Sequence, residues 1–583
     1  MNTRDRLCTD QPLVATTGPA DPKRRDVLRW SLGLSAGLVL PPLAGCDSGD
    51  GNSAAATPDT LPEASRIYAQ NGLIDIELVG AYGNRNVQFA ASAQNTYPGT
   101  SRARSAYLRS YNSGILAPTL CLNAGDTLRI LLKNRLPGND AKYSSLSYLN
   151  YQNSTNLHFH GMHVDPKEIR PGVYGDYMVD SPDAGVKPGA DRQHEITLPT
   201  NHSNGIYWYH PHLHGSTTTQ VLNGMFGAIL VSTPRNDFDL SKDIRERVIF
   251  VHRLNLTKEG HSDNLYEYED DNNSAFVLNG AYQPTIVMRP GEIQNWHFLN
   301  SDVFYPFSPV LDDHTLWYYA RDGNVFARQY RPINADTVAK IDGRFWPGSV
   351  MYPGNRDSML VQASKTPGTY YLRAAKAPSS TDPEIVARIV VEGSPVEMDL
   401  PSPNRLPLYN NYQPITDAEL AQNGGKTRAV ILAILDKDNP LLVQPIPAGE
   451  EWFVPEKDNS GLTNFVFSTG NEGTKLAPFQ SALAATQTVA LNAVEEWTLY
   501  NMNGYPHPFH IHINDCYVIK VNGEDIEPYW CDTIPLAPNG TQNKPTSITF
   551  RSRFTDFTGK FVWHCHALDH EDMGMMELVE VLA

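Results

Sequence analysis

The sequence predicts an all-β protein of three consecutive β-sandwich domains, and three observations carry that prediction. Beyond residue 65, short runs of alternating apolar and polar residues are separated by Gly, Pro, Asn and Asp, the pattern of half-buried strands joined by turns. Helical periodicity is scarce. One phrase also recurs three times: 124–134 (AGDTLRILLKN), 290–300 (PGEIQNWHFLN) and 494–501 (VEEWTLYN), each placing an acidic residue at a turn before a strand that ends in Asn. The copies lie roughly 165 and 205 residues apart, a domain-sized spacing that speaks for a triplicated sandwich and against a solenoid.

Composition agrees. The 583 residues include 42 Gly and 43 Pro, which suits many turns, and 28 Tyr, 20 Phe and 9 Trp, which exclude disorder and coiled coil. The balance of 47 basic against 64 acidic residues, a net charge of −17, excludes a general nucleic-acid binder.

Residues 1–45 stand apart as an address. Arg24-Arg25 precede an apolar stretch from Trp30 to Leu43, which is too short and too interrupted by Pro41-Pro42 to span a bilayer. It resembles a twin-arginine export signal, and Leu43-Ala44-Gly45-Cys46 resembles a lipobox, implying a lipid on Cys46 and a periplasmic, envelope-bound protein. The signal carries six basic and four acidic residues, so its removal leaves about −19. Residues 46–65 are small, polar and Pro-punctuated and read as a flexible tether. No later segment is long and apolar enough to span a membrane, so membrane contact is expected through the lipid alone. The domains are expected at 66–235, 236–400 and 401–583, with boundaries near Thr233-Pro234 and Leu400-Pro401-Ser402-Pro403.

Four cysteines remain once Cys8 and Cys46 are set aside. Cys516 and Cys531 flank a Val-Asn-Gly-Glu-Asp turn and read equally as a hairpin disulfide or as two buried thiols. Cys121 lies in a strand-like run and reads as core.

The chemistry lies in four segments: His158-Phe159-His160, His210-Pro211-His212-Leu213-His214, His507-Pro508-Phe509-His510-Ile511-His512, and His564-Cys565-His566 with His570 and Met575 behind it. Each contains His-x-His. On a strand, residues i and i+2 face the same way, so each pair presents two imidazoles to one side at a spacing suited to a metal. Four converging pairs supply eight imidazoles, too many for one ion and suited to a cluster. Cys565, between two of them, faces the opposite side, where its thiolate can meet His507 and His570 with Met575 as a weak axial ligand. Two histidines, a cysteine and a methionine form the blue-copper electron-transfer set. Zinc has no use for ten histidines around one cysteine.

These segments resemble the four copper motifs of the multicopper oxidase family, which includes the laccases, and the resemblance spans about residues 66–583. It implies three cupredoxin-like Greek-key domains and four copper ions. It implies a type-1 copper held by His507, Cys565 and His570 with Met575 axial. It implies type-2 ligands His158 and His510, and type-3 ligands His160, His212, His214, His512, His564 and His566. It further implies an enzyme taking single electrons from a small-molecule or metal-ion donor and reducing O₂ to water. Glu571 matches an acid of the family beside the cluster. Asp176 is the candidate acid near the type-2 copper, with Asp165 as the alternative. His163 and His210 fall outside the chosen pair register and are expected to pack or support, while His194, His202, His252, His261, His297 and His314 have no partner spacing. Only 12 Met occur, three of them (Met573, Met575, Met576) in the copper loop, so a phenol oxidase is expected before a cuprous oxidase. A non-catalytic copper carrier would not need every ligand position.

Overall fold

A computed structural model describes residues 60–90, 101–112, 114, 116–139, 151–178, 185–232, 244–257, 260–262, 274–326, 329–334, 350–374, 384–403, 413–434, 465–469, 487–501, 504–538 and 545–583. The export signal, Cys46, the tether as far as residue 59 and the Thr233-Pro234 boundary lie outside these residues.

The three recurring phrases form three equivalent strands, Thr127–Asn134, Ile293–Asn300 and Ala493–Asn501. Each pairs in parallel with an earlier strand (Leu73–Ala90, Arg245–Asn255 and Thr427–Ile434) and antiparallel with a later one (Asp191–Thr197, Arg356–Gln362 and Thr546–Phe554). The closing Asn is buried in every copy, and its amide ties two loop carbonyls together: Asn134 reaches Asn153 and Val186 (both 2.7 Å), Asn300 reaches Tyr305 and Met351 (both 3.0 Å), and Asn501 reaches Tyr505 and Ala537 (2.7 and 2.9 Å). A buried amide donor must be satisfied, so the repeated Asn fixes where each strand hands over to its loop. Trp296 and Trp497, on two of these strands, are fully buried, and each indole N–H donates to a side chain two residues earlier, Gln294 and Glu495.

The second sheet of each sandwich repeats as well: a parallel pair followed by two antiparallel strands. In the first domain the order is Thr119–Leu122, Gly227–Val231, Gly205–His210 and His158–His160. In the second it is Thr285–Met288, Glu384–Val391, Gly368–Ala374 and Pro309–Leu311. In the third it is Gln487–Ala490, Met576–Leu582, Gly559–Cys565 and His507–Ile511. The architecture is therefore three consecutive cupredoxin-like sandwiches. Histidine and cysteine occupy the last two strands of this ladder in the first and third domains. The middle domain has Gly-Thr-Tyr-Tyr-Leu-Arg-Ala and Pro-Val-Leu there, and so supplies none.

The stretch expected to be a flexible tether to residue 65 is docked from residue 60. Thr60 bridges Thr285, buried Leu61 donates its N–H to Thr285 O (2.9 Å), and the Pro62 carbonyl accepts from Asn279 (2.7 Å). Glu63 pairs with Arg245 (3.1 Å) and Arg247. One apolar anchor and one acid opposite two arginines outweigh the local Pro-rich composition. Cys516 and Cys531 stand directly opposite in an antiparallel pair, fully buried and as free thiols, and Cys121 is half-buried on Thr119–Leu122.

Candidate metal centre

Strand register explains how the histidines meet. His158–His160 runs antiparallel to Gly205–His210, with His158 opposite His210 and His160 opposite Trp208. Directly opposed residues share a face, so His158, His160 and His210 project together. In the third domain His510 opposes His564 and Phe509 opposes Cys565. His507 is two residues from Phe509 and so falls on the Cys565 face, while His510 and His512 fall on the other.

Among the described residues, this packing gives three buried histidine groups and one cysteine group whose nitrogen, sulfur or oxygen atoms could share an ion: His158/His160/His510, His160/His210/His566, His212/His512/His564 and His507/Cys565/His570. A further combination, His158/Asp176/His512, adds a carboxylate. His212 Nε2 and His512 Nε2 lie 3.0 and 3.3 Å from His564 Nε2, and His160 Nδ1 lies 3.3 Å from His566 Nε2. On the opposite face Cys565 Sγ stands 3.6 Å from His507 Nδ1 and 3.4 Å from His570 Nδ1, and those nitrogens are 3.2 Å apart. Met575 is buried and held at its backbone beside the cysteine: Cys565 N–H donates to Met575 O (3.0 Å), and Met575 N–H to His570 O (2.9 Å). Cys565 thus sits between His564 of one three-histidine group and His566 of another.

The chemistry of this donor set fits copper. Burial first, then mutual repulsion, pushes His158, His160, His210, His512, His564 and His566 well below the usual imidazole range, and burial takes His212 to about 3, so all present neutral rings. The Nε2 atoms of His158, His210 and His510 are buried with no hydrogen-bond partner. Orphaned acceptors gathered at one point are costly unless a cation completes them. The opposite ring nitrogens are occupied, which sets the tautomers. His158 Nδ1 meets Asp176 Oδ1 (2.8 Å), and His510 Nδ1 donates to the Asp532 carbonyl (2.8 Å).

The expected carboxylates separate cleanly. Asp176 is buried, accepts from the Phe159 N–H (2.8 Å), touches His158, and lies 3.5 Å from His512 Nδ1; burial pushes its carboxyl up to about 8. The alternative, Asp165, is partly exposed, accepts from the Lys167 N–H, and joins none of the histidine groups among the described residues. Glu571 is fully buried, takes a hydrogen bond from the Thr217 hydroxyl (3.0 Å), and stands 3.5 Å from both His212 Nδ1 and His564 Nδ1. Burial, then the neighbouring Asp572, drives its carboxyl well above the usual range.

One expected ligand is corrected. Among the described residues His214 joins no histidine group; a ring nitrogen is engaged by the Glu571 backbone. His210, set aside in the sequence, takes the place. In His210-x-His212-x-His214 both pairs have the same spacing, and the choice is made by the strand, which ends at His210 opposite His158, whereas His214 lies in the turn before the helix Thr217–Leu222. His210→Ala is expected to lower the copper content of the purified protein by at least one ion per chain, and His214→Ala to retain it, as measured by elemental mass spectrometry. His163 bridges domains, its ring meeting Ile513 O (2.7 Å) and Asp556 (2.9 Å).

Comparison with known proteins agrees with this centre. Two family models, each described as multicopper oxidase, match residues 93–236 and 457–582. A multicopper oxidase of Staphylococcus epidermidis is 24% identical over 491 residues, covering 81% of this chain and 83% of the relative. Laccase-1 of Melanocarpus albomyces is 22% identical over 522 residues, covering 80% and 73%. Among solved structures, a Campylobacter jejuni multicopper oxidase described as a metallo-oxidase aligns with TM-score 0.61 and 20% identity over 91% of this chain and 99% of its own. A laccase of Pediococcus acidilactici aligns with TM-score 0.63 and 19% identity over 91% and 95%. Residues 93–236 and 457–582, the copper-motif segments of the first and third domains, thus match the multicopper oxidase family. The chain is a copper-dependent oxidoreductase, and its histidine groups fit copper sites.

Proposed function

We propose that the protein is a laccase-like oxidase that removes single electrons from phenolic or related aromatic donors and delivers four of them to O₂. Four phenols each lose one electron and one proton, and one O₂ becomes two waters. In this reading His507, Cys565, His570 and Met575 hold the type-1 copper, and His158 and His510 the type-2 copper. His160, His210 and His566, with His212, His512 and His564, hold the type-3 pair. Bound copper supplies the one-electron acceptor and the site of O₂ reduction.

The observation that carries the reading is the bracketing of Cys565, which is joined through the peptide to His564 on one side and His566 on the other, so one sulfur serves two separate three-histidine groups. Glu571, fully buried and 3.5 Å from two of those rings, is placed to hand on a proton where oxygen reduction consumes one. On the donor side, Phe304 lays its ring 5.9 Å from that of His570, and Tyr505, two residues before His507, is 58% exposed. Aromatic side chains near the electron-entry histidines suit an aromatic donor better than a bare cation.

Oxygen uptake by the copper-loaded protein, compared across a phenol and cuprous, ferrous and manganous ions, tests the reading. Uptake should be fastest with the phenol. Uptake with cuprous ion alone would make the protein a metal-ion oxidase, and the absence of uptake with every donor would make it a copper-binding protein without oxidase activity.

A further inference from the structure

The middle domain carries no histidine or cysteine on its equivalent strands, yet the turn at Gly354 and the start of the strand Arg356–Gln362 that follows it reach the copper cluster. Arg356, fully buried, extends its guanidinium out of that domain and forks onto Asp532 of the third domain, Nη1 to Oδ1 at 2.7 Å and Nη2 to Oδ2 at 2.6 Å. Its Nε donates to Ile206 O of the first domain (3.1 Å), so one side chain joins all three domains. The arginine is itself fixed from below: Asp322 accepts its backbone N–H (2.9 Å) and also accepts from Asn355 and from the Thr533 N–H (both 3.1 Å).

Asp532 faces the histidines with both of its oxygen-bearing groups. Its carboxylate accepts from His160 Nε2 (3.2 Å), leaving His160 Nδ1 turned toward His566, and its carbonyl accepts from His510 Nδ1 (2.8 Å), leaving His510 Nε2 turned inward. The Arg356 guanidinium is the buried counter-charge that this carboxylate faces. The fit is tight. A Cβ on Gly161, one residue past His160, would collide with both Arg356 and Asp532, and a Cβ on Gly354 would stand 2.9 Å from the His566 ring. Both glycines also hold positive φ (80° and 89°), so the approach is built into the backbone.

From this geometry we infer that Arg356 and Gly354 of the middle domain are positioning residues for the oxygen-reducing cluster. Arg356 orients His160 through Asp532, and Gly354 backs the ring of His566. The inference rests on the ligand assignment above. Outer partners that orient a metal-bound imidazole are typically worth about 10–100-fold in metal affinity. A neutral side chain at 356 also leaves the Asp532 carboxylate buried without its counter-charge.

The test compares Arg356→Met, Arg356→Lys and Gly354→Ala with the wild-type protein by copper content, visible absorption and the paramagnetic resonance of the type-2 copper. Arg356→Met is expected to keep the blue absorption of the Cys565 site while its copper content falls from four to about two per chain and its type-2 signal is lost or altered. Arg356→Lys, which keeps the charge without the fork, should fall between. Gly354→Ala should show the same selective loss, and it decides the question if Arg356→Met does not yield folded protein. Full copper content with an unchanged resonance in Gly354→Ala and in whichever Arg356 variants fold overturns the inference, as does loss of the blue absorption in step with the cluster, the mark of general unfolding. Wild-type protein that takes up no copper refutes the ligand assignment instead, so the two failures are distinct.

Discussion

Cys565→Ser is expected to yield a folded protein that has lost its intense visible absorption and turns over phenolic donors about 10³-fold or more slowly. The Sγ atom is 3.6 and 3.4 Å from the two imidazole nitrogens of its group, so the thiolate is the sulfur donor of that site. A serine hydroxyl fills nearly the same volume but gives neither the soft ligand that a blue-copper site requires nor the charge-transfer absorption that comes with it. Leaving that hydroxyl in a fully buried position costs about 1–3 kcal/mol, too little to unfold a chain of this size. The three-histidine groups lie on the other face of the strand and should still bind copper. Absorption spectra and oxygen uptake on the same preparation check both halves. Blue colour that survives the substitution places the type-1 centre elsewhere.

Glu571→Gln should cut turnover by about 10²–10⁴-fold, the usual worth of a positioned acid, while keeping copper content and blue absorption. Gln has the same shape and can still accept the Thr217 hydroxyl, but it has no proton to surrender beside His212 and His564. If turnover is unchanged, protons reach the oxygen site by another route. A second, opposite effect follows from the same burial. Because the folded carboxyl is raised, the unfolded chain binds fewer protons than the folded one once pH passes the ordinary glutamate value, so this group makes the protein less stable as pH rises toward its folded pKa. The copper-free Gln variant should therefore melt above the copper-free wild type at neutral pH, by a margin that widens with pH in that window. The comparison needs metal-free protein, because bound cations draw the carboxyl down again.

Spacing made most of the centre readable in the sequence. His158-x-His160, His510-x-His512 and His564-Cys565-His566 each specify a face of a strand, and strands alternate so regularly that the faces follow from the letters. The three Asn-ended phrases were legible for the same reason. Spacing failed where it was degenerate: in His210-x-His212-x-His214 only the strand opposite, which begins at His158, decides between two identical pairs. It was silent where contact runs between domains. Nothing near Arg356 or Asp532 in the sequence announces that they meet 176 residues apart, and the choice between Asp176 and Asp165 needed the fold to bring one carboxylate onto His158.

The distances along the chain between those that meet have a consequence for synthesis. His212 and His564 are 352 residues apart, and His160 and His566 are 406. A growing chain that has completed its first two sandwiches holds only half of each pair. The complete metal pocket comes into being only when the strands of the third sandwich fold against the first domain, so no three-histidine group is whole before then. Truncation anywhere before Gly559–Cys565 removes the cysteine site and leaves both of the groups that flank it incomplete, however much of the sandwich architecture survives.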